Sequence, residues 1–170
     1  MLPTSSWLTL RNWPGRAAAR RSGERRGMAE QVIVDQNSDF EIELRAADPR
    51  DAESDDFHVV HHVHDLTPYG MMLASLGACT TIVLHNYARN HRLGLERVKI
   101  HLRYARVFQQ DCENCEEIDR YEEQFQEEIS LMGDLTEEEH QELYDIANRC
   151  SIYRILESGI EIASQLVNGS

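Results

Sequence analysis

The sequence predicts one α+β domain over residues 29–170, and three observations carry that prediction. Residues 98–104 and 121–131 alternate apolar and polar side chains at a period of two, as strands with one buried face do. Residues 71–84 hold no charge and are apolar or small on every side, so as a helix they demand enclosure by protein. Residues 135–149 combine a capping box, Thr136 with Glu139, and the apolar stripe Leu143, Ile146 and Ala147.

In chain order, residues 32–34 and 40–44 read as strands separated by the turn-forming run Asp35-Gln36-Asn37-Ser38-Asp39. Residues 46–56 form a polar loop containing Pro49. Residues 57–64 alternate, with Phe57, Val59 and Val63 on one face and His58, Val60, His62 and His64 on the other. Pro68 opens a long helix that runs to about Asn90, and its 14-residue uncharged part is too short to span a bilayer. After Gly94, the apolar set Val98, Ile100, Leu102 and Tyr104 alternates with Arg97, Lys99, His101 and Arg103. Tyr121, Phe125, Ile129 and Leu131 alternate with Glu122, Gln124, Gln126 and Glu128. A hairpin of these two strands sets basic side chains opposite acidic ones, each pair worth about 0.2–1 kcal/mol. The capped helix ends near Arg149, Cys150-Ser151 interrupts, and a short helix through Glu157 stops at Gly159. Ile160, Ile162 and Leu166 then predict a last strand.

At 170 residues with 41% hydrophobic content, the chain is long enough to bury one core. Residues 1–28 carry six arginines and one acid, which leaves 11 basic against 29 acidic residues, a net charge of -18, over residues 29–170. Nucleic acid and anionic membranes are therefore excluded as partners, since both bind through clustered Lys and Arg. The leader, with Trp7, Trp13, Pro14-Gly15 and an arginine run without apolar periodicity, cannot join a core. It reads either as an organelle transit peptide or, with Met28 as the start, as an upstream extension or disordered tail, and we favour the second.

Four cysteines in a chain lacking a secretory hydrophobic segment point to a reducing compartment, the cytoplasm, with thiols kept for chemistry or metal. Cys79 lies mid-helix among Ser75, Leu76, Ile82 and Val83, its neighbours three and four positions away. Cys150 precedes a helix whose N–H groups favour a thiolate. Two such sulfurs suit peroxide reduction, in which one thiolate attacks oxygen and a second thiol closes a disulfide on the resulting sulfenic acid. Simple burial for packing accounts for either cysteine equally well on these neighbours alone.

Three motifs in order tip that balance: Thr67-Pro-Tyr-Gly-Met-Met-Leu-Ala-Ser-Leu-Gly-Ala-Cys-Thr-Thr81, Gly133-Asp-Leu-Thr-Glu-Glu-Glu139 and Ile146-Ala-Asn-Arg-Cys-Ser-Ile-Tyr-Arg-Ile-Leu156. Over about residues 30–165 the chain resembles the OsmC/Ohr family of thiol-dependent peroxide reductases, as a divergent subgroup. The resemblance implies an intertwined homodimer with strands around two central helices and sites at the subunit interface. It further implies Cys79 as the peroxidatic thiol toward organic hydroperoxides or hydrogen peroxide, Cys150 as the resolving thiol, and re-reduction by dithiols, lipoyl groups among them. No bound cofactor or metal is expected. Two departures stand out. Better-studied members carry a glutamate after the helix-opening proline, pairing an upstream arginine; here Tyr69 and Gly70 follow Pro68, and Arg45 and Arg50 are the upstream arginines. The usual Cys-Pro of the last motif is Cys150-Ser151.

A competing reading is a metal-binding or redox-sensing module built on Cys112-x-x-Cys115 and the histidines His58, His62 and His64. The acidic neighbours Asp111, Glu113, Glu116 and Glu117 raise the thiol pKa and argue against a thioredoxin-like nucleophile there. A third reading is a non-catalytic OsmC-like dimer with unused buried thiols.

Overall fold

The computed structural model describes residues 29–48, 50, 56–108 and 121–166. Its strands are β1 (Ala29–Asn37), β2 (Ile42–Ala47), β3 (Phe57–Val59), β4 (Gly94–Phe108) and β5 (Tyr121–Asp134). A 3-10 turn, Val63–Asp65, leads into helix α1 (Pro68–His91), and α2 (Glu137–Ala147) and α3 (Ser151–Ser158) follow the sheet. The strands form one antiparallel sheet in the order β3-β2-β1-β4-β5. The α+β class is the one the alternation and the helix signals predict.

β1 is longer than its sequence pattern, because it has partners on both edges. The turn that follows lies at residues 38–40, where Asn37 Oδ1 accepts the N–H groups of Asp39 and Glu41, each at 3.0 Å. The β4–β5 hairpin forms as expected, but its register spoils most of the charge pairing. Arg97 faces Met132, Lys99 faces Ser130 and Arg103 faces Gln126. His101 does meet Glu128 at 3.7 Å, while Arg97 turns to Asp35 of β1 at 3.4 Å.

Thr67 caps α1 by accepting the Gly70 N–H at 3.2 Å, with Pro68 in the first turn, where its missing N–H costs nothing. One side of α1, including Leu73, Leu76, Gly77, Thr80 and Leu84, is buried in the core with Val32, Val34, Ile100 and Leu102 of the sheet. Gly77 sets the spacing. A Cβ there would stand 2.5 Å from Val34 Cγ2 and 2.8 Å from Leu102 Cδ1, so only a missing side chain lets helix and sheet approach this closely. Its smallness therefore serves the contact with its own sheet. The expectation that α1 is enclosed on all sides is not met in the single chain: Met71, Met72 and Ile82 remain 38–40% exposed. The sheet, α2 and α3 leave that stripe uncovered.

The predicted capping box of α2 is present, with Thr136 Oγ1 accepting the Glu139 N–H at 3.3 Å and Glu139 Oε2 accepting the Thr136 N–H at 2.7 Å. Leu143, Ile146 and Ala147 then bury the expected stripe. Residues 160–166, expected as a strand, are irregular and pair with no described strand, and Ile160, Ile162 and Leu166 are largely exposed. No helix among the described residues is long and apolar enough to cross a membrane.

Candidate active site

Helices α1 and α3 each bring one cysteine, and the two side chains lie against each other. Cys79 is partly exposed on α1, whereas Cys150 is fully buried at the N-cap of α3. The turn between α2 and α3 places Cys150, whose N–H donates to Ala147 O at 3.2 Å. Both thiols are free. Burial pushes the Cys150 thiol up, and the contact with Cys79 adds to the shift. The Tyr153 backbone N–H and the Thr80 hydroxyl pull it the other way but do not prevail. The expectation that the α3 N-terminus favours a thiolate at Cys150 is thus corrected: desolvation outweighs a single helix end. The pair is asymmetric, with Cys79 partly exposed and Cys150 dry and protonated at neutral pH.

Behind the sulfurs stand two residues that the sequence analysis did not single out. Successive helix positions are about 100° apart, so Thr80 turns inward beside Cys79 and is fully buried. Glu127 of β5 sits opposite Leu102 of β4, on the sheet face that packs against α1, between Phe125 and Ile129. Burial pushes its carboxyl up to about 6, and the nearby Thr80 hydroxyl moderates the rise. Thr80 Oγ1 and Glu127 Oε1 are both buried, yet neither completes a hydrogen bond of good geometry. The two groups lie near enough to influence each other without completing a hydrogen bond. A signal was present: Glu127 and Glu123 both occupy the phase of Phe125 and Ile129, and Glu127 has an apolar residue two positions away on each side that packs against the core.

A stability consequence follows. Glu127 titrates near 4.5 when unfolded and about 6 when folded, so stability is full below pH 4.5 and falls as pH rises through 6. At about 1.4 kcal/mol per pH unit, the buried charge costs up to about 2 kcal/mol at neutral pH. Glu127→Gln is expected to stabilise the protein by that order at pH 7.5 and to change little at pH 4. Urea unfolding of both forms at the two pH values measures it; equal gains at both would remove the titration from the account.

At the N-terminal end of α1 another carboxylate is buried. Glu30 of β1 accepts a hydrogen bond from the Thr67 hydroxyl and fills the space over Gly70, where a Cβ would stand 2.4 Å from its Oε1. Tyr69 stacks on Tyr104 with ring centroids 4.3 Å apart. Arg45 points away from the core and pairs with Glu43 at 2.6 Å.

The expected histidine face does not exist, because β3 stops at Val59 and the chain turns. His62 and His64 stack with centroids 5.0 Å apart on a turn closed by Asp65, whose Oδ2 accepts the N–H groups of His61 and His62 at 3.1 and 2.9 Å. Their ligand atoms and that of Asp65 lie within 4.8 Å of one another, all exposed. Cys112, Cys115 and residues 1–28 lie outside the described residues. A cavity of about 440 Å³ is lined by Phe40, His85, Arg89 and Leu95 among others and contains neither cysteine, so it does not mark the thiol chemistry. Burial in its wall holds the His85 imidazole below its ordinary pKa, opposed by a hydrogen-bond contact with the Gln36 carbonyl.

The chain is an α+β protein in which a central helix carrying Cys79 packs over an antiparallel sheet, with Cys150 beside it. Residues 60–165 match the family described as OsmC-like protein, and the chain belongs to that family. The fold is similar to the crystal structure of an OsmC-like hydroperoxide resistance protein from Jannaschia sp. CCS1, with a TM-score of 0.55 and 14% identity over 84% of this chain and 95% of that one. No curated protein matches the sequence.

Proposed function

We propose that the protein reduces organic hydroperoxides or hydrogen peroxide through Cys79 as the peroxidatic and Cys150 as the resolving thiol. The observation that carries this reading is the contact between an accessible sulfur on α1 and a fully buried one at the start of α3. The Cys79 thiolate attacks the terminal peroxide oxygen, an S–O bond forms, the O–O bond breaks, and the departing alkoxide leaves as alcohol after taking a proton. Cys150 then attacks the sulfenic sulfur; an S–S bond forms and water departs. A dithiol, a lipoyl group among the candidates, exchanges with the disulfide and restores both thiols.

We further assign the active form to a homodimer in the cytoplasm. The uncovered stripe of Met71, Met72 and Ile82, together with the exposed apolar residues Ile160, Ile162 and Leu166, supports a second copy as the missing cover. Stoichiometric organic hydroperoxide is expected to consume two thiols per peroxide, and peptide mapping to recover a Cys79 to Cys150 disulfide. An unchanged thiol titre in excess peroxide would overturn the reading.

A further inference from the structure

We propose that Glu127, acting through the Thr80 hydroxyl, removes the proton from Cys150 as the disulfide closes. This deepens the peroxide reading and rests on it for the identity of the oxidised Cys79. The argument begins with the chemistry of the second thiol. Cys150 is fully buried and must become a thiolate to attack, yet its burial and its contact with Cys79 both hold the proton on. A base is therefore needed at a place water does not reach.

The structure supplies a connected set of polar groups in an apolar layer. The Cys150 thiol lies near Cys79 and near the Thr80 hydroxyl, and the Thr80 hydroxyl in turn lies near Glu127. Thr80 is fully buried, and its oxygen lacks a hydrogen-bond partner, as does Glu127 Oε1. Buried polar groups left unpaired cost free energy, and such exceptions call for an explanation. Other residues at this place are apolar: Leu102 directly opposite on β4, and Phe125 and Ile129 on the same strand. The titratable groups nearby are Cys79 from α1, Cys150 at the start of α3, and, further along the sheet, Tyr104 and Glu123, which are bonded to each other at 2.9 Å.

The step balances as follows. As the Cys150 sulfur attacks the sulfenic sulfur of Cys79, its S–H proton passes to Thr80 Oγ1, and Thr80 passes its own proton to the Glu127 carboxylate. The S–S bond forms, the S–O bond breaks, and the departing hydroxide becomes water by taking a proton from solvent. Glu127 later returns its proton to solvent. Glu127 touches no reacting atom and is a positioning residue in this sense; Thr80 is the group nearer the sulfur.

The test uses the full chain carrying Cys112→Ser and Cys115→Ser, so that only the two helix cysteines report. In the first arm, one equivalent of organic hydroperoxide is added, samples are quenched with an alkylating agent, and disulfide closure is timed by mass between pH 5 and 8. In the second arm, Cys79 is converted to its mixed disulfide with thionitrobenzoate, and attack by Cys150 is read as release of the coloured thiolate. No peroxide enters the second arm. Closure is expected to rise with pH around 6 in both arms, the value at which Glu127 ionises. Glu127→Gln and Thr80→Val are expected to slow closure at least about tenfold at pH 7 and to erase that rise, while Thr80→Ser retains both. Sulfenic acid formation on Cys79, trapped in a Cys150→Ser background, is expected to be unchanged by Glu127→Gln. Wild-type rates and pH profiles for Glu127→Gln in the second arm would overturn the proposal. Failure of the first arm alone, with the second behaving as expected, would instead reject the peroxide reading and leave the proton path standing.

Discussion

Cys79→Ser is expected to lower hydroperoxide consumption by roughly three orders of magnitude, because a serine hydroxyl at neutral pH supplies no anion comparable to a thiolate. Cys150→Ser is expected to behave differently. Its Cys79 remains accessible, so the first turnover proceeds and a sulfenic acid accumulates that a dimedone-type reagent traps. With no second sulfur to close on it, excess peroxide then drives Cys79 to sulfinic acid and activity dies within a few turnovers. The asymmetry in burial predicts this division of labour: the open sulfur meets the oxidant and the dry one waits. Steady-state peroxide assays and intact mass of each variant after oxidation measure it. Equal residual activity in the two variants, with no mass gain on Cys79, would contradict the assigned roles.

The second large effect concerns the fold. Gly77→Val is expected to cost about 3 kcal/mol, at the upper end of overpacking, because the new Cβ alone meets Val34 Cγ2 at 2.5 Å and Leu102 Cδ1 at 2.8 Å. Both neighbours are fully buried, so neither side chain can swing into solvent. Helix propensity works in the opposite direction by a few tenths of a kcal/mol and does not change the sign. For a chain of this size the loss corresponds to a fall in Tm of about 6–12 °C. Thermal unfolding measures it. A variant that melts within about 2 °C of the parent would mean that α1 can stand off from the sheet at little cost. Thr80 lies one turn further along α1 from this contact, so the same shift would carry it away from Glu127 and slow disulfide closure.

Much of the fold was legible in the sequence, and what was illegible has a common cause. The hairpin, the long helix with its Pro68 start and the Thr136 capping box all rest on local patterns, and local patterns survive translation into coordinates. The register of the hairpin does not. Its charge pairing was read from composition along each strand, whereas the actual partners depend on where the connection places the second strand. The same limit applies to the histidines, whose alternation was real in sequence but cut short by the turn around Asp65. Residues 160–166 have the apolar content of a strand and no described strand beside them. Within the site, the motifs located Cys79 and Cys150, which the fold brings together. Glu127 was hidden because a run of acids on β5 reads as a solvated face, and the phase it shares with Phe125 and Ile129 is also shared by Glu123, which is exposed.

Cys79 and Thr80 are adjacent in the chain but leave the helix about 100° apart, one partly exposed and the other fully buried. Changes on the outward flank can retune which oxidant is admitted while the inward flank, and the timing of ring closure it governs, stays as it was. Selection can therefore work on the two halves of the cycle separately.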